Sequence, residues 1–190
     1  MPQRRSPLQR GNFYHIYNRG NNRQEIFFER ENYVYFLRLI KEHLIVNAVD
    51  IVAYCLMPNH YHFLVYLRDE TISDAMKSLS LSYTKAINKR FNRSGVLFQG
   101  RFQSIYISQT DYLVNLSRYI HLNPVKAGLV QQPEEWEFSS YLEYAGLRQG
   151  TLPKTEYIKM QCQEESAAQQ FLVDRNLPDS DDFKRLLLDD

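Results

Sequence analysis

Cysteine is scarce in this sequence. The 190 residues hold 2, Cys55 and Cys162. That is too few for a disulfide framework, and the two lack the close spacing of a metal knuckle. Reduced thiols and a cytoplasmic location are therefore expected. Long apolar runs are missing as well. None approaches the ~18–20 residues of a membrane span. The opening MPQRRSPLQRG has no apolar stretch of the kind a secretory signal carries. No membrane partner is expected. There is no internal repeat and no low-complexity block, which excludes a solenoid or a biased, disordered chain. Tryptophan occurs once, whereas tyrosine occurs 14 times. Tyrosine can fill a core or stack on unpaired bases.

An overall excess of one charge is also lacking, since the net charge is +1. The balance conceals an asymmetry. Residues 1–130 carry 17 Lys and Arg against 9 Asp and Glu, a net of +8. Residues 131–190 carry 6 against 13, a net of −7. A basic part joined to an acidic part suggests nucleic-acid contact by the former, although a solvated surface with an acidic tail has the same composition.

Hydrophobic periodicity gives the elements. Residues 12–18, NFYHIYN, alternate as a strand. Tyr33, Phe36, Leu37, Ile40 and Leu44 recur at three- and four-residue spacing and predict a helix over 31–46. Residues 49–57 are almost wholly apolar, as expected of a central strand. Pro58 and Asn59 make a turn, and HYHFLVYL at 60–67 is the returning strand. A second helix is expected over 71–90, a fourth strand over 102–107, and a third helix capped by Thr110 or Asp111. Asn123-Pro124 should end that helix, because a residue before proline avoids helical angles. The order β-α-β-β-α-β-α predicts an α+β, ferredoxin-like split βαβ fold. Its antiparallel sheet should carry helices on one face, plus an added helix. Trp136 and Phe138 are expected to dock residues 131–147 on the body. The domain reading is 1–147 as the functional domain and 148–190 as an acidic tail or small helical extension, with short helices near 163–174 and 179–188.

His60-Tyr61-His62 is the first candidate constellation. Residues i and i+2 of a strand share a face, so both imidazoles project together. Two imidazoles make half of a divalent-metal site, though two surface histidines on an edge strand would look the same. Tyr119 and Asn123 are the second constellation. Four residues apart on a helix, they share a face. An amide oxygen suits a hard cation, and a phenol beside a metal-polarised phosphate can act as nucleophile. A core tyrosine followed by a helix stop is the bland alternative. His-x-His on a strand followed by Tyr and an amide on a helix fits phosphoryl transfer, which needs charge neutralisation and an in-line nucleophile. His15 could face the same sheet surface. His121 should point away from Tyr119, about 200° around a helix of ~3.6 residues per turn. Neither is assigned a role.

The segments YHIYNRG, MPNHYHFLV, GVLFQGRFQS and SRYIHLNPVKAGLV resemble the REP-associated tyrosine transposases, relatives of the single-tyrosine transposases of small bacterial insertion sequences. The resemblance covers roughly residues 12–147. It implies that His60 and His62 bind Mg²⁺ or Mn²⁺ and that Tyr119 attacks DNA to leave a 5′-phosphotyrosine link and a free 3′-hydroxyl. It further implies that Asn123 completes the metal site, where related transposases place Gln. The implied function is a transposase and single-strand endonuclease that cuts and rejoins hairpin DNA of repetitive extragenic palindromes. The tyrosine helix would act in cis in a monomer, with a dimer as the alternative.

Basic residues supply candidate DNA contacts. Lys85, Lys89, Arg90, Arg93 and Arg101 are interleaved with Phe98, Phe102 and Tyr106, which suits phosphate pairing and base stacking. Arg19 and Arg23 lie in the loop after the first strand, and Arg4 and Arg5 in a basic N-terminal arm. Two other readings remain at this point: a non-catalytic RNA- or DNA-binding ferredoxin-like module, and a metallohydrolase that uses the histidines without the tyrosine.

Overall fold

The period-2 segments form one four-stranded antiparallel sheet, and the period-3.6 segments cover it. The computed structural model describes residues 8–108 and 110–160. Arg4, Arg5 and the helices expected near 163–174 and 179–188 lie outside the described residues. The strands are β1 (Phe13–Arg19), β2 (Val49–Met57), β3 (His60–Leu67) and β4 (Gln103–Ile107), in the order β2-β3-β1-β4. Each neighbouring pair is antiparallel. This is the split βαβ arrangement expected of the sequence. No helix among the described residues is long and apolar enough to cross a membrane.

Strand alternation divides the side chains between two cores. Tyr61, Phe63, Val65 and Leu67 of β3 join Tyr14 and Ile16 of β1 under the helices α1 (Arg30–Leu39) and α2 (Ile72–Arg90). Phe36, Leu79 and Tyr83 fill that space from the helices. The opposite face packs Ala53, Cys55, Met57 and Leu64 against Leu113, Leu116, Tyr119 and Ile120 of α3 (Thr110–Lys126). Thus α1 and α2 take one face and the added helix takes the other. A β-bulge lies between Ile51 and Ala53. It turns the consecutive residues Val52 and Ala53 toward the α3 core, which strict alternation forbids. Burial pushes the Cys55 thiol well above its usual range, which keeps it protonated and inert.

Three features depart from the sequence reading. The first helix does not stay α throughout. After Leu39 it widens into a π-turn over Ile40–Ile45, and Asn47 Nδ2 donates to the His43 carbonyl at its end. Second, β2 is an edge strand rather than a central one. Its apolar character has a different cause, because the chain after α3 covers the free edge. Leu56 N donates to the Phe138 carbonyl at 3.0 Å, Ser140 N to the Tyr54 carbonyl at 3.0 Å, and Lys154 N to the Ile51 carbonyl at 2.7 Å. Trp136 Nε1 donates to the Leu56 carbonyl at 3.0 Å. Leu152 and Ile158 are buried, so residues up to 158 pack on the body. Short helices α4 (Tyr141–Tyr144) and α5 (Glu156–Lys159) belong to this covering segment.

Third, α3 does not stop at Asn123-Pro124. It runs to Lys126 with Pro124 inside. Proline removes one donor, but this close to the helix end the loss is a single bond. The chain closes beyond it, with Ala127 N donating to the Asn123 carbonyl and Leu129 N to the Pro124 carbonyl, each at 2.9 Å. Gly128 takes φ +67°, the left-handed value that ends helices.

Candidate active site

His60 and His62 leave β3 on the α3 side, the face that also carries Leu64. Both are buried, His62 completely and His60 to 7 % exposure. Their ring centroids are 4.9 Å apart. Tyr119 comes down from α3 onto this pair, its ring 5.7 Å from that of His62 and nearly perpendicular to it. The strand pair and the tyrosine therefore meet within one chain.

His62 Nε2 is buried and makes no hydrogen bond. Its Nδ1 lies 3.0 Å from Nε2 of His15, a diagonal neighbour on β1 and itself buried. Burial, with the neighbouring His60 and His15, holds the His62 imidazole well below its ordinary range, so the ring is neutral at physiological pH. His60 Nδ1 lies 2.6 Å from Asn59 Oδ1.

Asn123 donates from Nδ2 to the Tyr119 carbonyl at 2.8 Å, which directs Oδ1 away from that carbonyl. Among the described residues, no three His, Cys, Asp or Glu cluster to form a metal cage. Asn123 lines the same cavity as His60, where its amide oxygen could serve as a further ligand. Two imidazoles and an amide oxygen suit a divalent cation of intermediate hardness. The buried, unbonded Nε2 of His62 is the atom such a cation would engage, so the residues present fit a metal.

A cavity of about 580 Å³ opens at this place. Arg19, Arg23, Glu25, Asn59, His60, Asn123 and Lys126 line it, together with Met57 and Pro58. Of the basic residues picked from the sequence, Arg19 and Arg23 border this cavity. Arg101 is exposed just ahead of β4, in the segment that follows the backbone bond from Gln99 N to the Arg19 carbonyl. Lys85, Lys89 and Arg90 belong to α2, in the layer on the other side of the sheet. Arg90 pairs with Glu29, and Arg93 lies 5.1 Å over the Phe28 ring. Those four are not gathered with the histidines. His121 points away from Tyr119, toward Ser140, as helix geometry predicts.

Lys126 is the residue that sequence reasoning missed. Its Nζ sits 4.9 Å from the centre of the Tyr119 ring. Seven residues on a helix are about two turns, so Lys126 returns to the tyrosine's face. Ending the helix at Asn123 hid that relation.

The loop after β1 holds the cavity's rim in place. Gly20 N donates to the Asn59 carbonyl at 2.7 Å, and Asn59 Nδ2 donates to the Arg23 carbonyl at 3.3 Å. Asn22 and Arg23 both have positive φ, 54° and 58°. Gly20 is needed for space, since a Cβ there would lie 1.9 Å from the Gln24 carbonyl oxygen. Gly20→Ala should therefore push the 21–24 turn outward and destabilise the protein by about 1–3 kcal/mol, as overpacking does. Thermal denaturation measures this, and an unchanged midpoint would count against so tight an approach.

Comparisons with known proteins bear on the family and the fold. A family model described as transposase, IS200-like, matches residues 10–123. A Haemophilus influenzae protein provisionally named REP-associated tyrosine transposase is 31% identical over an alignment of 103 residues that covers 48% of this chain. The chain spans 58% of that relative's length. Among solved structures, a REP-associated tyrosine transposase bound to a REP hairpin superimposes with a TM-score of 0.63 at 18% identity. That match covers 81% of this chain and 98% of the other, and it supports the fold. The matched segment begins before β1 and closes on Asn123, so it takes in the whole sheet, both histidines and the tyrosine, and the chain belongs to the IS200-like transposase family.

Proposed function

We propose that this chain cuts and rejoins single-stranded hairpin DNA with Tyr119 as nucleophile and with His60, His62 and Asn123 as ligands of Mg²⁺ or Mn²⁺. The observation that carries the reading is the meeting of Tyr119 with His62, whose Nε2 is buried and makes no hydrogen bond. When bound, a divalent cation would neutralise and polarise the scissile phosphate. Arg19, Arg23 and Lys126 line the cavity that His60 and Asn123 border and supply positive charge for the flanking phosphates. The Tyr119 oxygen forms a bond to phosphorus and the bond from phosphorus to the 3′ oxygen breaks. The phenol loses a proton and the released 3′ oxygen gains one. Lys126 over the ring favours the negative charge that develops on the phenol oxygen. A strand hydroxyl later reverses these steps on the phosphotyrosine and rejoins DNA. The bond is exchanged rather than hydrolysed, so no ATP is needed. Since α3 packs on its own sheet, the tyrosine serves the histidines of the same chain, in keeping with a monomer acting in cis.

The substrates proposed are hairpins of repetitive extragenic palindromes. Incubating the full chain with end-labelled hairpin strands and Mn²⁺ should give a protein–DNA adduct that survives denaturation, and EDTA should abolish it. Cleavage without an adduct would instead favour a hydrolase. Binding that ignores EDTA, with no cleavage, would favour a non-catalytic nucleic-acid module.

A further inference from the structure

Resting on the metal site just proposed, we infer that Asn59 and His15 are positioning residues that hold His60 and His62 in the Nδ1–H tautomer, so that both Nε2 atoms present lone pairs to the cation. A neutral imidazole carries its proton on one nitrogen only, and the hydrogen bond made by the other nitrogen decides which.

Asn59 settles the matter for His60. Its Nδ2 donates to the Arg23 carbonyl at 3.3 Å. That bond fixes which end of the amide is which, because a carbonyl can accept but not donate. The other end, Oδ1, is therefore the atom 2.6 Å from His60 Nδ1. An amide oxygen can only accept, so Nδ1 bears the proton and Nε2 bears the lone pair. Asn59 is itself anchored, its carbonyl accepting from Gly20 N at 2.7 Å.

His15 does the same for His62 from the neighbouring strand. In the pairing of β1 with β3, Tyr17 stands opposite His62, which puts His15 one diagonal step away on the same face. Its Nε2 lies 3.0 Å from His62 Nδ1, and the two rings are within 20° of parallel. One proton lies between these nitrogens. If His15 held it, the proton of His62 would sit on Nε2, buried and with no acceptor. With the proton on His62 Nδ1, Nε2 is a lone pair that a cation satisfies. His15 then carries its own proton on Nδ1.

Outer partners of this kind typically change metal affinity by about 10–100-fold when removed. The test has two arms on the full chain. In the metal-free wild type, imidazole nitrogen NMR should show Nδ1–H at both His60 and His62. A dominant Nε2–H form at either residue would overturn the inference, and this arm needs no variant to fold. In the second arm, Mn²⁺ binding is followed by the EPR signal of the free ion. Asn59→Ala and His15→Phe should each weaken binding by about 10–100-fold. His15→Gln, whose side-chain oxygen can still accept, should stay close to wild type. Equal affinity in His15→Phe and wild type would also overturn it. Absence of any Mn²⁺ binding by the wild type would defeat the metal site itself, while the tautomers would still judge this inference.

Discussion

Tyr119→Phe should form no denaturation-resistant adduct with a hairpin strand, while still binding both the strand and Mn²⁺. The substitution removes one oxygen and keeps the ring. The edge-to-face contact with His62 and the cation over the ring depend on the ring, so they persist. Strand cleavage should fall by more than about 10³-fold, since losing a covalent nucleophile costs on the order of 10⁶-fold in a well-studied hydrolase. Quantifying labelled strand against time in Mn²⁺ gives both numbers from one gel. An adduct of undiminished yield would remove Tyr119 from the nucleophile's role. The nearest phenol on the sheet is Tyr17, with its ring 6.3 Å from His62, and Tyr17→Phe is therefore the informative control.

Acid should destabilise the protein through His121, which faces Ser140 on the side of α3 turned away from Tyr119. This imidazole is buried between α3 and the covering segment, with Nε2 2.8 Å from Ser140 Oγ. Ser140 Oγ accepts from Tyr54 N at 2.9 Å and donates to the Tyr54 carbonyl at 3.2 Å. With its single hydroxyl proton used, Oγ can only accept from His121. Burial pushes this histidine down to about 3. The unfolded chain protonates it near ~6.5. Between those two values the unfolded state binds more protons than the folded one, so stability falls as pH falls. Above about 6.5 the residue adds no slope. The expected loss from this residue is about 2 kcal/mol at pH 5 and about 3 kcal/mol at pH 4. His62 acts in the same direction. Urea denaturation at pH 7 and pH 5 should therefore show a smaller difference for His121→Gln than for wild type. Identical differences in the two proteins would count against the assignment.

Local pattern was enough for most of the sheet and both long helices on its first face. Alternation in residues 60–67 fixes which side each histidine takes, and the observed strand has those same ends. The 49–57 strand also coincides. What escaped the sequence depends on partners distant along the chain. Nothing in residues 49–57 says that Phe138, Ser140 and Lys154 will cover their edge, so an apolar strand read as a central one. The bond between His15 and His62 depends on strand register, which no single segment contains. Lys126 was hidden for a local reason. The residue before a proline usually leaves the helix, yet Asn123 stays in it and α3 runs on to Lys126.

The covering segment has a consequence for synthesis. Residues 10–123, which similarity to the family picks out, are translated before residues 138–158. During that interval the free edge of β2 lacks partners that Phe138, Ser140 and Lys154 supply later. An unpaired edge of apolar sequence is a template for pairing with another nascent chain. At ~5–20 residues per second, the exposure lasts on the order of seconds. The piece that matches the family and the piece that covers its edge are therefore translated in sequence, and crowding of ribosomes on the message would set how often two unfinished chains meet.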